Sequence, residues 1–356
     1  MGVPIVIIRP HSATISPLEH LETFQIDFWL IGDDNMARIP AALAFVGILS
    51  VSATSSYADT ITVSQYGRLA TTLPWAIALK KGMLKEAGLD IDRILSTAGG
   101  GTGLRAMMAT NVQFAVITAP TAVAGVKAGF NIKVVGCESN HIGDLAWVAK
   151  AGSGINSLSD LAGKKVGFSN PKSFTDMVIR VALQRAGLKG RVELISTGGL
   201  SGGLVALAQG AIAAAAEIEP GLTKNAAKYK VLFYARDILP EFAMSFAVTT
   251  SEYAEKHPET IRKLIAVQKR AVDFIYANPT EAEKIYAEVW ETTPAEAHGQ
   301  FQQFLSWRIW AGGTCSKGGL DALSSSLQEI GDVDGPVEWP KLIDQKFLEP
   351  AQRIPL

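Results

Sequence analysis

Two stretches of this 356-residue chain, one hundred residues apart, say nearly the same thing. Residues 96–120 read STAGGGTGLRAMMATNVQFAVITAP, and residues 196–220 read STGGLSGGLVALAQGAIAAAAEIEP. Eight pairs recur in register: Ser96/Ser196, Thr97/Thr197, Gly99/Gly199, Gly103/Gly203, Leu104/Leu204, Ala106/Ala206, Ala115/Ala215 and Pro120/Pro220. Each copy reads as a strand end, a glycine loop, a helix of small residues, a short apolar strand and a loop closed by proline. A helix that starts after such a loop presents backbone N–H groups and the positive end of its dipole. The pair therefore predicts two similar α/β lobes facing a shared cleft. The same glycines also serve close packing of helix on sheet, and the sequence leaves both roles open.

The first 58 residues read as processing signal rather than fold. Met36-Ala37-Arg38 precedes an apolar run from Ile39 to Val51, and small residues lead to Ser56-Tyr57-Ala58. That order is a secretory signal, residues 36–58, cleaved after Ala58. The apolar run is too short to span a bilayer comfortably. Residues 1–35 then read as an upstream extension. No cysteine stands at the cleavage region, so a lipid anchor is not expected.

Residues 1–58 hold 2 of the 33 basic and 5 of the 34 acidic residues, which leaves 31 against 29. So balanced a charge gives no argument for a nucleic acid or a membrane surface as partner. The two cysteines, Cys137 and Cys315, match no metal or redox spacing. They can pair in an oxidising compartment, but two buried free thiols are the expectation.

Strands and helices alternate after Asp59. Strands are expected at 61–65, 91–96, 114–118, 133–136, 145–149, 165–168 and 192–195, with helices near 75–86 and 174–186. This rhythm predicts a mostly parallel sheet covered by helices. Phe246–Thr249 reads as a return strand, and the rest is helical. Pro258, Asn278-Pro279 and Thr293-Pro294 mark helix starts, the last two as an N-cap with a first-turn proline. Trp290, Trp307 and Trp310 read as core.

The chain from Asp59 onward resembles the extracytoplasmic solute-binding proteins of ABC importers in the nitrate/sulfonate/taurine and pyrimidine-precursor group. The likeness rests on the stretch from Ile61 through Trp75, on Gly82-Met83-Leu84-Lys85-Glu86-Ala87-Gly88-Leu89, and on Gly99-Gly100-Gly101-Thr102. It continues in Phe114-Ala115-Val116-Ile117, in the segment from Ser157 to Gly167, and in Ser251 to Glu259. The resemblance implies a two-lobed α/β fold of the type II periplasmic binding protein kind. Lobe I would be 59–147 with 243–356, its helical C-terminal region packed on the sheet, and lobe II would be 148–242. It implies a periplasmic monomer without cofactor, metal or catalytic residues, which closes on a small-molecule solute and delivers it to an inner-membrane permease.

Carried over residue by residue, lobe I would offer Thr71, Thr72, Pro74 and Trp75, then Gly99, Gly100, Gly101 and Thr102, and Thr118 with Ala119. Lobe II would offer Asn170, Lys172, Ser173, Phe174 and Thr175, then Gly198 and Gly199, and Glu217 with Glu219. These loops fall beyond the carboxyl ends of strands, where open α/β sheets bind ligands. Lys172 can meet an anionic head group or be a solvated loop lysine. Glu217 and Glu219 can hold an amine or a ring N–H, or form ion pairs within the lobe. Phe174 and Trp75 can stack on a planar solute or fill the core. Together they favour a small polar organic solute, anionic or heteroaromatic, over an inorganic ion. Sulfonate binders of this group place a prominent arginine in the cleft, and no clear arginine stands in these loops.

Two other functions use the same fold. A pyrimidine-precursor enzyme of this kind needs a consumed histidine and a cysteine-rich motif. This chain has only His141, His257 and His298 after residue 58, and no cysteine cluster. His141 and Asp144 can form a local pair, but no nucleophile accompanies them. A ligand-sensing module for a membrane receptor would use an identical cleft.

Overall fold

The computed structural model describes residues 59–356, so the expected signal segment lies outside the described residues. Among the described residues there are ten strands: β1 Asp59–Ser64, β2 Ile91–Thr97, β3 Phe114–Thr118, β4 Ile132–Ser139, β5 Ala146–Lys150, β6 Lys165–Phe168, β7 Glu193–Ser196, β8 Ala215–Glu217, β9 Tyr229–Tyr234 and β10 Ser245–Thr250. They form a five-stranded sheet in the order β2-β1-β3-β10-β4, a three-stranded sheet β8-β5-β9, and a pair β6-β7.

β1 runs parallel to β2 on one side and β3 on the other, while β10 enters antiparallel between β3 and β4. That makes 246–249 the expected return strand. β6 pairs in parallel with β7 and touches the residue before β8 through a parallel bridge from Val166 to Ala214. The order β7-β6-214 thus repeats β2-β1-β3, and β6 stands where β1 stands in the first sheet.

The repeated glycine units keep their equivalence down to single bonds. Helix Gly100–Met107 follows Gly99, and helix Leu200–Ala208 follows Gly199. The hydroxyl of Thr97 donates to the carbonyl of Gly99 at 3.4 Å, and that of Thr197 to the carbonyl of Gly199 at 3.0 Å. A Cβ at Gly103 would lie 3.1 Å from Oγ1 of Thr97, and one at Gly203 would lie 3.3 Å from Oγ1 of Thr197. Both conserved spacings therefore let the helix lie close on its strand.

The helices after β10 cover the first sheet. Helices Pro258–Ala277, Pro279–Val289 and Pro294–Trp307 each begin on their proline. Thr293 caps its helix by accepting the N–H of Glu296 at 3.3 Å. Asn278 does not act as expected: its amide turns back to the carbonyl of Phe274 at 3.4 Å. The expected helix at 75–86 is two pieces, Leu73–Lys80 and Met83–Glu86, because Gly82 takes the left-handed conformation at φ 69°. Leu73, Trp75 and Ile77 of the first piece join Ile261, Leu264, Tyr286, Phe301 and Trp310 in one apolar core.

The cysteines correct the expectation of free thiols. Cys137 on β4 and Cys315 form a disulfide, with Cα atoms 4.9 Å apart. The segment after Trp310 pairs with the outer side of β4, exchanging N–H···O bonds of 2.8 and 3.0 Å between Cys137 and Gly313. A return of the chain from 178 residues away brings the thiols together, which no local spacing announces.

Candidate functional site

A cavity lies where the carboxyl ends of the parallel strands converge. β1 contributes Ser64 and the following Gln65 and Leu69; the first glycine loop contributes Ala98, Gly99 and Gly100; β3 ends in Thr118. From the other side come Ser169, Ser173, Phe174 and Thr175 after β6, and Leu200 after the second glycine loop. Leu145 and Met244, on the two segments that run between the sheets, complete the lining. The cavity has a volume of about 40 Å³.

Every side chain that lines it is uncharged. Ser169, Ser173 and Thr175 hold their hydroxyl oxygens in a triangle with sides of 3.0, 2.7 and 3.0 Å. The backbone N–H of Ser169 donates to Oγ1 of Thr175 at 2.8 Å, which fixes the triangle to the strand end. Opposite, Ser64 Oγ lies 3.3 Å from Thr97 Oγ1, and Thr118 Oγ1 lies 2.9 Å from Thr121 Oγ1. Phe174, buried and tilted against Phe242 at 5.5 Å, supplies an apolar wall.

The two glycine loops meet. A Cβ on Gly199 would lie 3.7 Å from the carbonyl oxygen of Ala98, and a Cβ on Gly99 would lie 2.6 Å from the amide nitrogen of Asn170. That nitrogen is buried and has no hydrogen-bond partner among the described residues. Gln65 and Asn170 stand at equivalent strand ends, and Gln65 donates its amide to the carbonyl of Ala98. Arg68 spans the rim: its guanidinium donates to Ser201, and its carbonyl accepts the indole N–H of Trp290 at 2.8 Å.

Six of the expected site residues line this cavity: Gly99, Gly100, Thr118, Ser173, Phe174 and Thr175. Asn170, Gly199 and Thr102 stand beside it. The Thr102 hydroxyl caps the first loop, donating to the Gly99 carbonyl at 2.7 Å. Gly101, Gly198 and Ala119 belong to the same loops without lining the space. Thr71, Thr72, Pro74 and Trp75 do not reach it, because the 73–80 helix turns them into the core. The Trp75 indole donates to Glu138 at 2.9 Å inside the first sheet's core. Lys172 is turned away, its ammonium paired with Asp332 at 2.6 Å. Glu217 and Glu219 line a different hollow. Sequence reasoning missed Ser64, Gln65, Leu69, Ala98, Leu145, Ser169, Leu200 and Met244. The equivalence of β1 and β6 was the available signal for Ser64 and Ser169.

The pair that His141 and Asp144 could have made does not form. Nδ1 of His141 accepts the N–H of Gly143 at 2.8 Å, and Asp144 accepts the N–H of Glu219. His141 instead stacks on Trp307, with ring centres 5.5 Å apart. Burial, then the charge of Arg236, pushes its pKa down.

Comparison with known proteins agrees with this architecture. A Brucella abortus (strain 2308) protein described as a binding protein is 32% identical over 225 residues, which cover 60% of this chain and 66% of the relative's length, just under two thirds. The periplasmic aliphatic sulphonate binding protein SsuA from Escherichia coli superposes with a TM-score of 0.62 at 17% identity, over 83% of this chain and 96% of that one. The desulfurization enzyme DSZB shares the fold as well, with a TM-score of 0.55 at 15% identity over 82% and 97% of the two chains. The periplasmic binding protein fold is thus common to binders and at least one enzyme. The family model described as NMT1/THI5 like matches residues 71–282, well over half of the chain, and the chain belongs to that family.

Proposed function

We propose that this protein is an extracytoplasmic solute-binding protein that captures a small polar organic solute between its glycine loops and delivers it to an ABC permease. The observation that carries the reading is the cavity itself: strand ends from both sheets converge on it with hydroxyls, amides and apolar walls. Such a lining can orient and desolvate a solute. Among the described residues that line it there is no carboxylate, imidazole, amine or thiol. That favours capture over the enzyme reading, and the sensing role keeps the same cleft.

In this reading residues 59–147 with 243–356 form one lobe, 148–242 form the other, and the segments through Leu145 and Met244 act as hinges. Parting of the lobes admits a solute too large for the present space. Arg68 at the rim favours a solute with an anionic or acceptor-rich end, and Phe174 an apolar or planar body. The signal-like segment at 36–58 supports a periplasmic location.

A thermal-shift screen followed by calorimetry should find one small molecule that binds one to one and is recovered unaltered. Recovery of a converted product would establish the enzyme instead. Sequencing of the exported protein should begin at or near Asp59; a cytoplasmic product that retains residues 1–58 would remove the periplasmic assignment.

A further inference from the structure

A second hollow, of about 240 Å³, shares no lining residue with the cavity. It lies between the short helix Gly221–Lys224 and the β8-β5-β9 sheet, with Val148, Tyr229 and Val231 as apolar lining and Glu217 and Glu219 as acidic lining. Glu217 is only 1% exposed. Its Oε1 accepts the N–H of Ile218 at 2.9 Å, while its Oε2 is buried and has no hydrogen-bond partner among the described residues. Glu219 accepts both the N–H and the hydroxyl of Thr223, at 3.0 and 3.1 Å. Asp144, buried as well, accepts the N–H of Glu219.

Two carboxyl groups therefore line the hollow, Asp144 is bonded to the backbone of one of them, and one oxygen lacks a donor among the described residues. A buried carboxylate is costly unless a cation or donor meets it. Arg68 is near enough for its charge to act on Glu217, but its guanidinium donates to Ser201 across the rim. Gly221 lets the helix pack directly on the carboxyl: a Cβ there would lie 2.6 Å from Oε2. Among the described residues no group of three His, Cys, Asp or Glu can hold a metal ion, which turns the argument from a metal to an organic cation.

We propose that this hollow binds a primary alkylammonium group, with the N–H donors on Glu217 Oε2 and Glu219 and the alkyl chain against Val148, Val231 and Tyr229. An ammonium brings three donors and no acceptor, so it satisfies the orphan oxygen and leaves nothing of its own unpaired. The alkyl chain accounts for the apolar lining.

The test is a titration of n-butylammonium chloride into isotopically labelled protein at neutral pH, following the Ile218 amide that is bonded to Glu217. Saturable one-site shifts are expected at about millimolar concentrations, as befits so small a ligand. Glu217→Gln should weaken the binding at least tenfold, and Gly221→Ala, whose Cβ drives into the carboxyl, should do the same. Asn170→Ala, beside the other cavity, should leave it unchanged, and n-butanol should give no saturation. The proposal is overturned if wild type shows no saturable shift, if Glu217→Gln binds as tightly as wild type, or if butanol binds equally well. The probe is not the captured solute, so a failure here leaves the proposed function standing, and the reverse holds too.

Discussion

Glu138 is a buried carboxyl that does not line the cavity. It is fully buried on β4, where it accepts the Trp75 indole N–H at 2.9 Å and the Gln268 amide at 3.2 Å. Burial pushes its pKa from 4.5 to about 7, against the two donors that lower it. Asp144 is raised to about 7 as well, by burial first and then by the charges of Glu219 and Glu217, against the Glu219 N–H. A raised carboxyl binds more protons folded than unfolded, so stability falls as pH climbs from about 4 to about 7 and the full cost stands above that. For Glu138 the cost is at most about 3 kcal/mol, at 1.36 kcal/mol per unit. Glu138→Gln keeps an acceptor for Trp75 and removes the titration. Denaturation against pH should therefore show the variant gaining on wild type between pH 5 and pH 8; parallel profiles would refute the assignment. None of this was legible in the sequence, because Glu138 in KVVGCES looks like any polar residue near a strand end. Gly99 was legible from the repeat, and Thr118 and Phe174 from the family resemblance. Glu217 and Glu219 had the same credentials, and only the fold shows that their carboxyls line another hollow.

The two copies of the glycine unit differ in how tightly their elements are packed. In the second copy a Cβ on Gly202 would overlap the backbone carbonyl oxygen of Thr197, and a backbone atom cannot step aside as a side-chain tip can. Its counterpart in the first copy is Thr102, which carries a Cβ, and at the neighbouring Gly101 a Cβ would meet only the Arg105 guanidinium, at 4.0 Å. Gly202→Ala should therefore lower the melting temperature clearly, by an overpacking cost of about 1–3 kcal/mol. Gly101→Ala, in an open helical position, should leave it unchanged or raise it by up to about 1 kcal/mol of helix propensity. Thermal unfolding of the pair checks this, and an equal response would mean the copies are packed alike. Most strands were legible from apolar runs bounded by glycine or proline. β9 was not read as a strand, since Tyr229–Tyr234 follows a lysine-rich turn and is only half-buried on the small sheet. The helix expected at 75–86 hid its break, because Gly82 fits a helical apolar pattern until its left-handed φ is known.

At the scale of the whole molecule, the repeat announced two similar halves, and the matching orders β2-β1-β3 and β7-β6-214 give it a physical form. What the sequence could not announce was long-range closure. The disulfide joins residues 178 apart, and Lys172, read as a ligand for an anion, reaches the C-terminal region to pair with Asp332. Contacts of that length depend on how the chain returns. The central claim, that the solute is held between the glycine loops, is tested most directly by its Kd on three proteins. Asn170→Ala removes a buried amide donor that has no other partner, at a cost of about 1–3 kcal/mol, so its Kd should rise roughly tenfold. Glu217→Gln, in the separate hollow, should bind the solute as wild type does. A solute that ignores Asn170→Ala and is lost from Glu217→Gln would place the capture site in the acidic hollow and contradict the account.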